Sequence, residues 1–291
     1  MRRMALIGPG RVGTALVRAL AQAEYDVGAV VGRRLDAARA ATVAAGAGTP
    51  SVDPRDALEA DLVWLTLGDL AIASTAAELA PQLDQDRAPA FAHTSGLATS
   101  AVLAPLAAAG ARCASAHPLQ AFAAAAAATS PFAGTRWAIE GDDRLVRDLA
   151  AIANRLGGTA ARIDADAKAA YHAGAVMLSN GLVALASHAQ RTLCAAGVPP
   201  DDALAGLLAL ARGTLDNLHD RGLPHAITGP ISRGEDAAIR THVEALGERV
   251  PGSIGLYVEL ARELVAIAHD AGRIDDVARR RLVTLLATLR P

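Results

Sequence analysis

The sequence contains a single lysine, Lys168; the other 27 of its 28 basic residues are arginine. Arginine stays charged under all usable conditions, whereas an ammonium gives up a proton when its surroundings lower its pKa from about 10.4. One amine kept in an arginine-rich chain points to proton chemistry at that position, or to a surface lysine that survived by chance. Cysteine is almost as scarce. Cys113 and Cys194 are the only two and lack metal-ligand spacing, so neither a disulfide framework nor a cysteine-bound metal is expected, and a reduced, cytoplasmic protein is the simplest reading. The net charge of −2 and pI near 6.4 provide no basic footprint for nucleic acid or an anionic membrane surface. No stretch of some 18 apolar residues free of charge and strong helix breakers reads as a membrane span. Gly8 interrupts the first apolar run too early for a secretory leader.

What is present suffices for two domains, since 291 residues can enclose two cores. The first half alternates strand and helix signals. Residues 3–7 read as a buried strand that runs into Gly8-Pro9-Gly10-Arg11-Val12-Gly13 and then a helical pattern through Leu16 and Leu20. Strand, glycine turn and helix are the context that gives G-x-G-x-x-G its meaning as a dinucleotide-binding fingerprint. Its three glycines serve the tight turn, the approach of a pyrophosphate and helix–strand packing, while the helix N-terminus offers N–H groups to phosphate.

A second strand over 27–31 ends at Gly32, Arg33 and Arg34, where an NAD-binding protein would carry Asp or Glu for the ribose hydroxyls. Two guanidinium groups without a carboxylate favour a 2′-phosphate, and so NADP(H). Further strands are expected at 62–67, 90–92, 112–116, 136–140 and 159–163, with helices at 70–79 and 145–156. Asp69 lines the cofactor crevice or caps the helix from residue 70. Thr94, Ser95 and Gly96 follow a strand, as does His117, and small polar groups at carboxyl ends of strands face the ligand in an open α/β sheet. On this reading Thr94 and Gly96 touch the cofactor and Ser95 and His117 the substrate. The alanine-rich stretch 121–128 is a short helix or covering loop.

Near Asp164 the pattern changes to continuous helix. The first helix, opened by Asp164 or Asp166 and ended near Gly197, is apolar on nearly every face from Ala173 to Ala186, which implies burial all round. At about 100° per residue, His172 lies about 40° and Ser179 about 20° from Lys168, whereas Asn180 lies about 120° away. Lys168, His172 and Ser179 thus share a face, with Asn180 a weaker fourth member. Four more helices are expected at 201–220, 235–249, 254–271 and 275–289. The fold class is therefore a mostly parallel, Rossmann-type α/β domain over 1–163 followed by an all-helical domain over 164–291. The turn-rich loop 228–235 between two of these helices offers Thr228 and Arg233 to a substrate, Arg233 to its carboxylate, or is a plain structural turn.

Taken together, the fingerprint at 8–13, His93-Thr94-Ser95-Gly96, His117-Pro118-Leu119, Lys168 with Tyr171-His172 and Ser179-Asn180, and residues 228–234 resemble the family with a Rossmann-like first half and a domain of unknown function (2520). Gly68 where proline is expected and Glu235 where aspartate is expected are its small departures. The family is similar in architecture to ketopantoate reductases, pyrroline-5-carboxylate reductases and 6-phosphogluconate-type dehydrogenases. The resemblance implies a helical domain that builds a homodimer and a lysine that donates a proton, with a polar partner one turn later; Lys168 and His172 fit those places. The expected activity is NADPH-dependent reduction of a small 2-oxo acid, ketopantoate first, with Lys168 protonating the alkoxide. Imine reduction of the pyrroline-5-carboxylate kind and a non-catalytic NADP(H) sensor are the alternatives.

Overall fold

A computed structural model describes residues 3–84, 87–122 and 132–289. The part of the alanine-rich stretch from 123 to 128 lies outside the described residues. The chain falls into two compact units, one ending at Ser179 and the other beginning at Asn180.

The first unit alternates β1 (Arg3–Ile7), α1 (Arg11–Gln22), β2 (Asp26–Val31), α2 (Leu35–Ala45), β3 (Thr49–Ser51), β4 (Leu62–Leu65), α3 (Asp69–Leu79) and β5 (Ala90–His93). It continues through α4 (Ala104–Ala108), β6 (Cys113–Pro118), β7 (Arg136–Gly141), α5 (Asp143–Arg155) and β8 (Thr159–Arg162) into the first turns of α6 (Lys168–Ala195). The strands form one eight-stranded sheet in the order β3-β2-β1-β4-β5-β6-β7-β8. Only the β6–β7 pair is antiparallel. The order reverses direction between β1 and β4, which is the switch point at which open α/β sheets bind ligands beyond their carboxyl ends.

Strand alternation divides the core between the two faces of this sheet. Met4, Leu6 and Trp64 pack with Leu16, Leu20, Leu145 and Leu149 on one face. Ala5, Ile7, Val63 and Leu65 pack with Ile72, Leu79, Leu103 and Leu106 on the other. Both faces are apolar because helices cover both, as a parallel sheet requires. Strand β3 was not expected, since Thr49-Pro50-Ser51 is short and polar. It is an edge strand, where proline is tolerated because one side of the strand needs no ladder partner.

The second unit comprises the rest of α6, then α7 (Pro200–Arg221), α8 (Asp236–Arg249), α9 (Ile254–Asp270) and α10 (Asp276–Thr288), with no strand among its described residues. Ile239, Val258, Val265, Leu282 and Leu286 lie at its centre. The expectation that α6 is buried all round is not met: Met177, Leu178 and Val183 are 76, 67 and 71% exposed. An apolar helix is covered only if the rest of the fold supplies a facing surface, and one chain leaves this one uncovered. By length and composition alone, residues 165–195 are also long and apolar enough to cross a membrane, which the sequence reading had discounted. The division between the units falls inside α6, not at its start, because its first turns are fastened to the sheet.

Candidate functional site

The glycine loop is built as the fingerprint requires. Gly8 takes φ of +106°, a backbone that favours glycine, and its N–H donates to the Val31 carbonyl at 2.9 Å. Thr66, just past β4, donates from its hydroxyl to the Gly8 carbonyl at 2.6 Å and ties the loop to the neighbouring strand. Gly10 precedes α1, and no side chain caps that helix, which leaves its first N–H groups for an anion. A Cβ added at Gly10 would meet no protein atom within 4 Å. The space beside it is open to a ligand.

A cavity of about 940 Å³ extends from this loop, lined among others by Gly8, Gly10, Arg33, Arg34, Thr66 and Gly68. Pro9 and Gly32 also line it, with Val52 and Pro54 as an apolar wall. The donor set fits a phosphorylated dinucleotide: free helix N–H groups for the pyrophosphate and two arginines past β2 for a 2′-phosphate. The two arginines differ in availability. Arg34 donates from Nε to Asp36 at 3.0 Å, whereas Arg33 is exposed and carries no ion pair among the described residues.

Arg11 and Val12 open α1 and carry its first backbone N–H groups, while Gly13 is packed against Gly8 and Thr66. Other residues expected to contact the cofactor are placed elsewhere. Asp69 is the exposed first residue of α3 behind Gly68, and Thr94 donates its N–H to the Leu65 carbonyl. Neither lines the cavity. Gly96 is buried against two imidazoles: a Cβ there would lie 2.5 Å from His172 Nδ1 and 3.0 Å from His117 Nε2.

A second set of groups gathers at the carboxyl ends of β5 and β6. Lys168 is 1% exposed. Its ammonium donates to the Ser95 carbonyl at 2.9 Å and to the Ser115 hydroxyl. Burial lowers its pKa to about 8, against the opposing pull of Glu140 and Asp69. Ser95 accepts at its hydroxyl from the Leu97 and Ala98 N–H groups, so it shapes the loop after β5. His93 donates from Nε2 to the Thr99 carbonyl and accepts the Ser95 N–H at Nδ1, which fixes its neutral tautomer. Burial holds its pKa at about 4.

His117 Nδ1 lies 3.0 Å from the Tyr171 hydroxyl, and the two rings meet edge to face. Burial, then the charges of Lys168 and His172, lowers the His117 pKa to about 4. Burial raises that of Tyr171. The Nδ1 of His172 is enclosed without a hydrogen-bond partner. Lys168, His172, Ser95 and His117 thus gather with Ser115 and Tyr171, and Gly96, expected at the cofactor, stands among them instead.

The remaining expected residues lie apart from this cluster in the sequence. Ser179 and Asn180 stand on the exposed stretch of α6 at the division between the units. In the second unit, Thr228 is exposed, and the Arg233 guanidinium is already held by both oxygens of Glu235. Ser115 and Thr66 were missed by the sequence reading. Thr66 carries a legible signal, a hydroxyl just past a central strand, whereas Ser115 lies inside β6 and carries none.

Residues 2–118 match the model of the Rossmann-like domain, and residues 135–264 match that of a domain of unknown function, DUF2520. Among curated proteins none matches the chain. Among solved structures, protein TM1727 from Thermotoga maritima aligns with a TM-score of 0.73 at 24% identity, over 92% of this chain and 98% of its own. The pyrroline-5-carboxylate reductase of Coxiella burnetii aligns at 0.59 and 18%, over 97% of each chain. A reductive aminase from Aspergillus terreus, solved with NADPH4, cyclohexanone and allyl amine, aligns at 0.59 and 17% over the whole of both chains. At these identities the likeness is one of fold.

Proposed function

We propose that this chain, a Rossmann-like domain joined to a domain of unknown function 2520, is an NADPH-dependent reductase of small 2-oxo acids, with ketopantoate as the first candidate substrate. The observation that carries the reading is the open space beside Gly10, which lines the same cavity as Arg33, an arginine without an ion pair among the described residues. Bound there, the cofactor would supply a hydride. Gly8, Pro9, Gly10 and the start of α1 would hold its pyrophosphate, and Arg33, with Arg34 second, the 2′-phosphate. Replacing Arg33 by serine is expected to weaken NADPH binding about 10- to 100-fold, the worth of a charge-assisted hydrogen bond. NADH binding should be unaffected. Fluorescence titration with both cofactors checks this, and equal losses for the two would remove Arg33 from phosphate recognition.

The test of the activity is NADPH oxidation, followed by absorbance, on adding ketopantoate to the purified protein. A kcat near or above about 1 s⁻¹ is expected for a true substrate. Lys168, His172, Ser95 and His117, all in the first unit, are the residues we assign to the reaction.

A second reading, imine reduction, is favoured by the position of Lys168. Its ammonium is enclosed by Ser95 and Ser115, and an imine that arrives protonated needs no strong acid from the enzyme. Turnover of pyrroline-5-carboxylate with none of ketopantoate would establish that reading. NADPH binding without turnover of either would leave the sensor.

We further propose a cytoplasmic homodimer in which a second copy covers the exposed apolar residues of α6. Replacing Met177 and Val183 by glutamate is expected to shift the protein from dimer to monomer in sedimentation velocity. A monomeric wild type would overturn the assignment, and recovery in a membrane fraction would transfer that surface to lipid.

A further inference from the structure

We propose that the hydroxyl of Tyr171 is the proton donor of the reaction, oriented by His117, and that Lys168 acts behind them as a positioning residue. The inference rests on the reductase reading above and assigns its proton step. A carbonyl that accepts hydride at carbon moves its π pair onto oxygen, and that oxygen must gain a proton. The nearest expected donor, Lys168, is 1% exposed and its ammonium is engaged by the Ser95 carbonyl and the Ser115 hydroxyl. Tyr171 follows one turn later on α6 and keeps part of its surface exposed. Its oxygen lies 3.0 Å from His117 Nδ1.

The pair stands at the carboxyl edge of the parallel strands. His117 is the penultimate residue of β6, two strands along from β4, whose following residues Thr66 to Gly68 line the dinucleotide cavity. At about 4.8 Å between strands this is about 10 Å along one edge, the edge at which ligands bind to such sheets.

The direction of the hydrogen bond gives the pair its function. A neutral His117 that carries its proton on Nδ1 donates to the phenolic oxygen, so the proton of Tyr171 points away from the imidazole and is free for a substrate. The O–H bond of Tyr171 breaks as the new O–H bond forms on the reduced substrate, and the Nδ1–H of His117 remains on the phenolate and stabilises it. Solvent then reprotonates Tyr171 across its exposed edge. The titratable groups that act on His117 are Lys168 and His172, both from α6. Burial of the ring and the charge of these neighbours keep His117 neutral and a poor base, so it does not itself take the Tyr171 proton.

Tyr171→Phe removes only the hydroxyl. It is expected to lower kcat about 10²- to 10⁴-fold, the usual contribution of general acid catalysis, with NADPH affinity unchanged. His117→Ala should lose activity with Tyr171 in place, and His117→Asn, which restores an N–H donor, should recover part of it. A readout without substrate accompanies these. The chain has three tyrosines, and the tyrosinate absorbance of the free protein, minus that of Tyr171→Phe, isolates the ionisation of Tyr171. His117→Ala is expected to shift that ionisation to higher pH, because the phenolate loses its donor. A kcat of Tyr171→Phe within about twofold of wild type, in an enzyme that turns over, overturns the proposal and leaves the reductase reading intact. Absence of wild-type turnover on 2-oxo acids and imines removes the reductase reading and the donor role with it. An ionisation of Tyr171 that does not respond to His117→Ala overturns the pairing independently of activity.

Discussion

Replacing Lys168 by methionine is expected to lower kcat by about 10²-fold or more while leaving the protein folded and able to bind NADPH. The loss of activity follows from what the ammonium holds. It is the hydrogen-bond donor that joins the loop after β5, through the Ser95 carbonyl, to the Ser115 hydroxyl of β6, and its charge contributes to keeping His117 neutral. Cofactor binding survives because the cavity is lined by residues between Ile7 and Glu78. Stability is the less intuitive part. Enclosing the ammonium lowers its pKa from 10.5 to about 8, which at 1.36 kcal/mol per unit is a cost of about 3 kcal/mol at neutral pH. The hydrogen bonds that methionine forfeits are worth about 1 kcal/mol each. Methionine is close to lysine in volume, so the substitution is expected to leave thermal stability at pH 7 unchanged or to raise it.

The sign of the pH dependence is fixed by the direction of the shift. A lysine whose folded pKa lies below its unfolded value loses a proton on folding between about pH 8 and 10.5, so the wild type gains stability as pH rises through that window. Any advantage of the methionine variant is therefore full below pH 8 and gone above about 10.5. Thermal unfolding of both proteins from pH 7 to 11 measures it. An advantage that grew with pH would mean that Lys168 is not enclosed as a charge, and undiminished kcat would remove it from the site.

Gly13→Ala is expected to weaken NADPH binding at least about 100-fold and to destabilise the first unit by about 1–3 kcal/mol. A Cβ at this position would overlap the Gly8 carbonyl oxygen and meet Thr66 Oγ1 at 2.6 Å. The first obstacle is backbone and cannot rotate away, so either α1 moves off β1 or the Gly8 turn opens. Both spoil the cradle. Gly10→Ala separates the two causes, since its Cβ meets no protein atom within 4 Å. It should fold with wild-type stability and still bind cofactor poorly, because the methyl occupies ligand space. Calorimetric unfolding together with NADPH titration distinguishes the pair. Wild-type affinity in Gly13→Ala would show that close packing of helix on strand is not needed for the site.

Much of the first unit was legible because its determinants are local. The succession of buried strand, Gly8 to Gly13 and helix needs only a few consecutive residues to be recognised, and alternation along β1 and β4 announces which side chains enter which face. The same holds for Arg33 and Arg34 at the end of β2, whose position relative to the glycines is set by the length of one β-α-β unit. β3 escaped notice because a three-residue polar edge strand is defined by its neighbour β2 and not by its own residues. Helical periodicity placed Lys168 and His172 on one face correctly but left open where that face was directed.

By itself, the sequence determined the order of the strands and helices other than β3, the dinucleotide loop and the singular chemistry of Lys168, because each is encoded within about one turn or one strand. Only the tertiary structure decided that Lys168 is enclosed by Ser95 and Ser115, that His117 meets Tyr171 across 54 residues of chain, and that the apolar flank of α6 is left bare. Those outcomes depend on which surfaces packing brings together, and burial and hydrogen bonding between distant segments leave no spacing in the chain from which to read them.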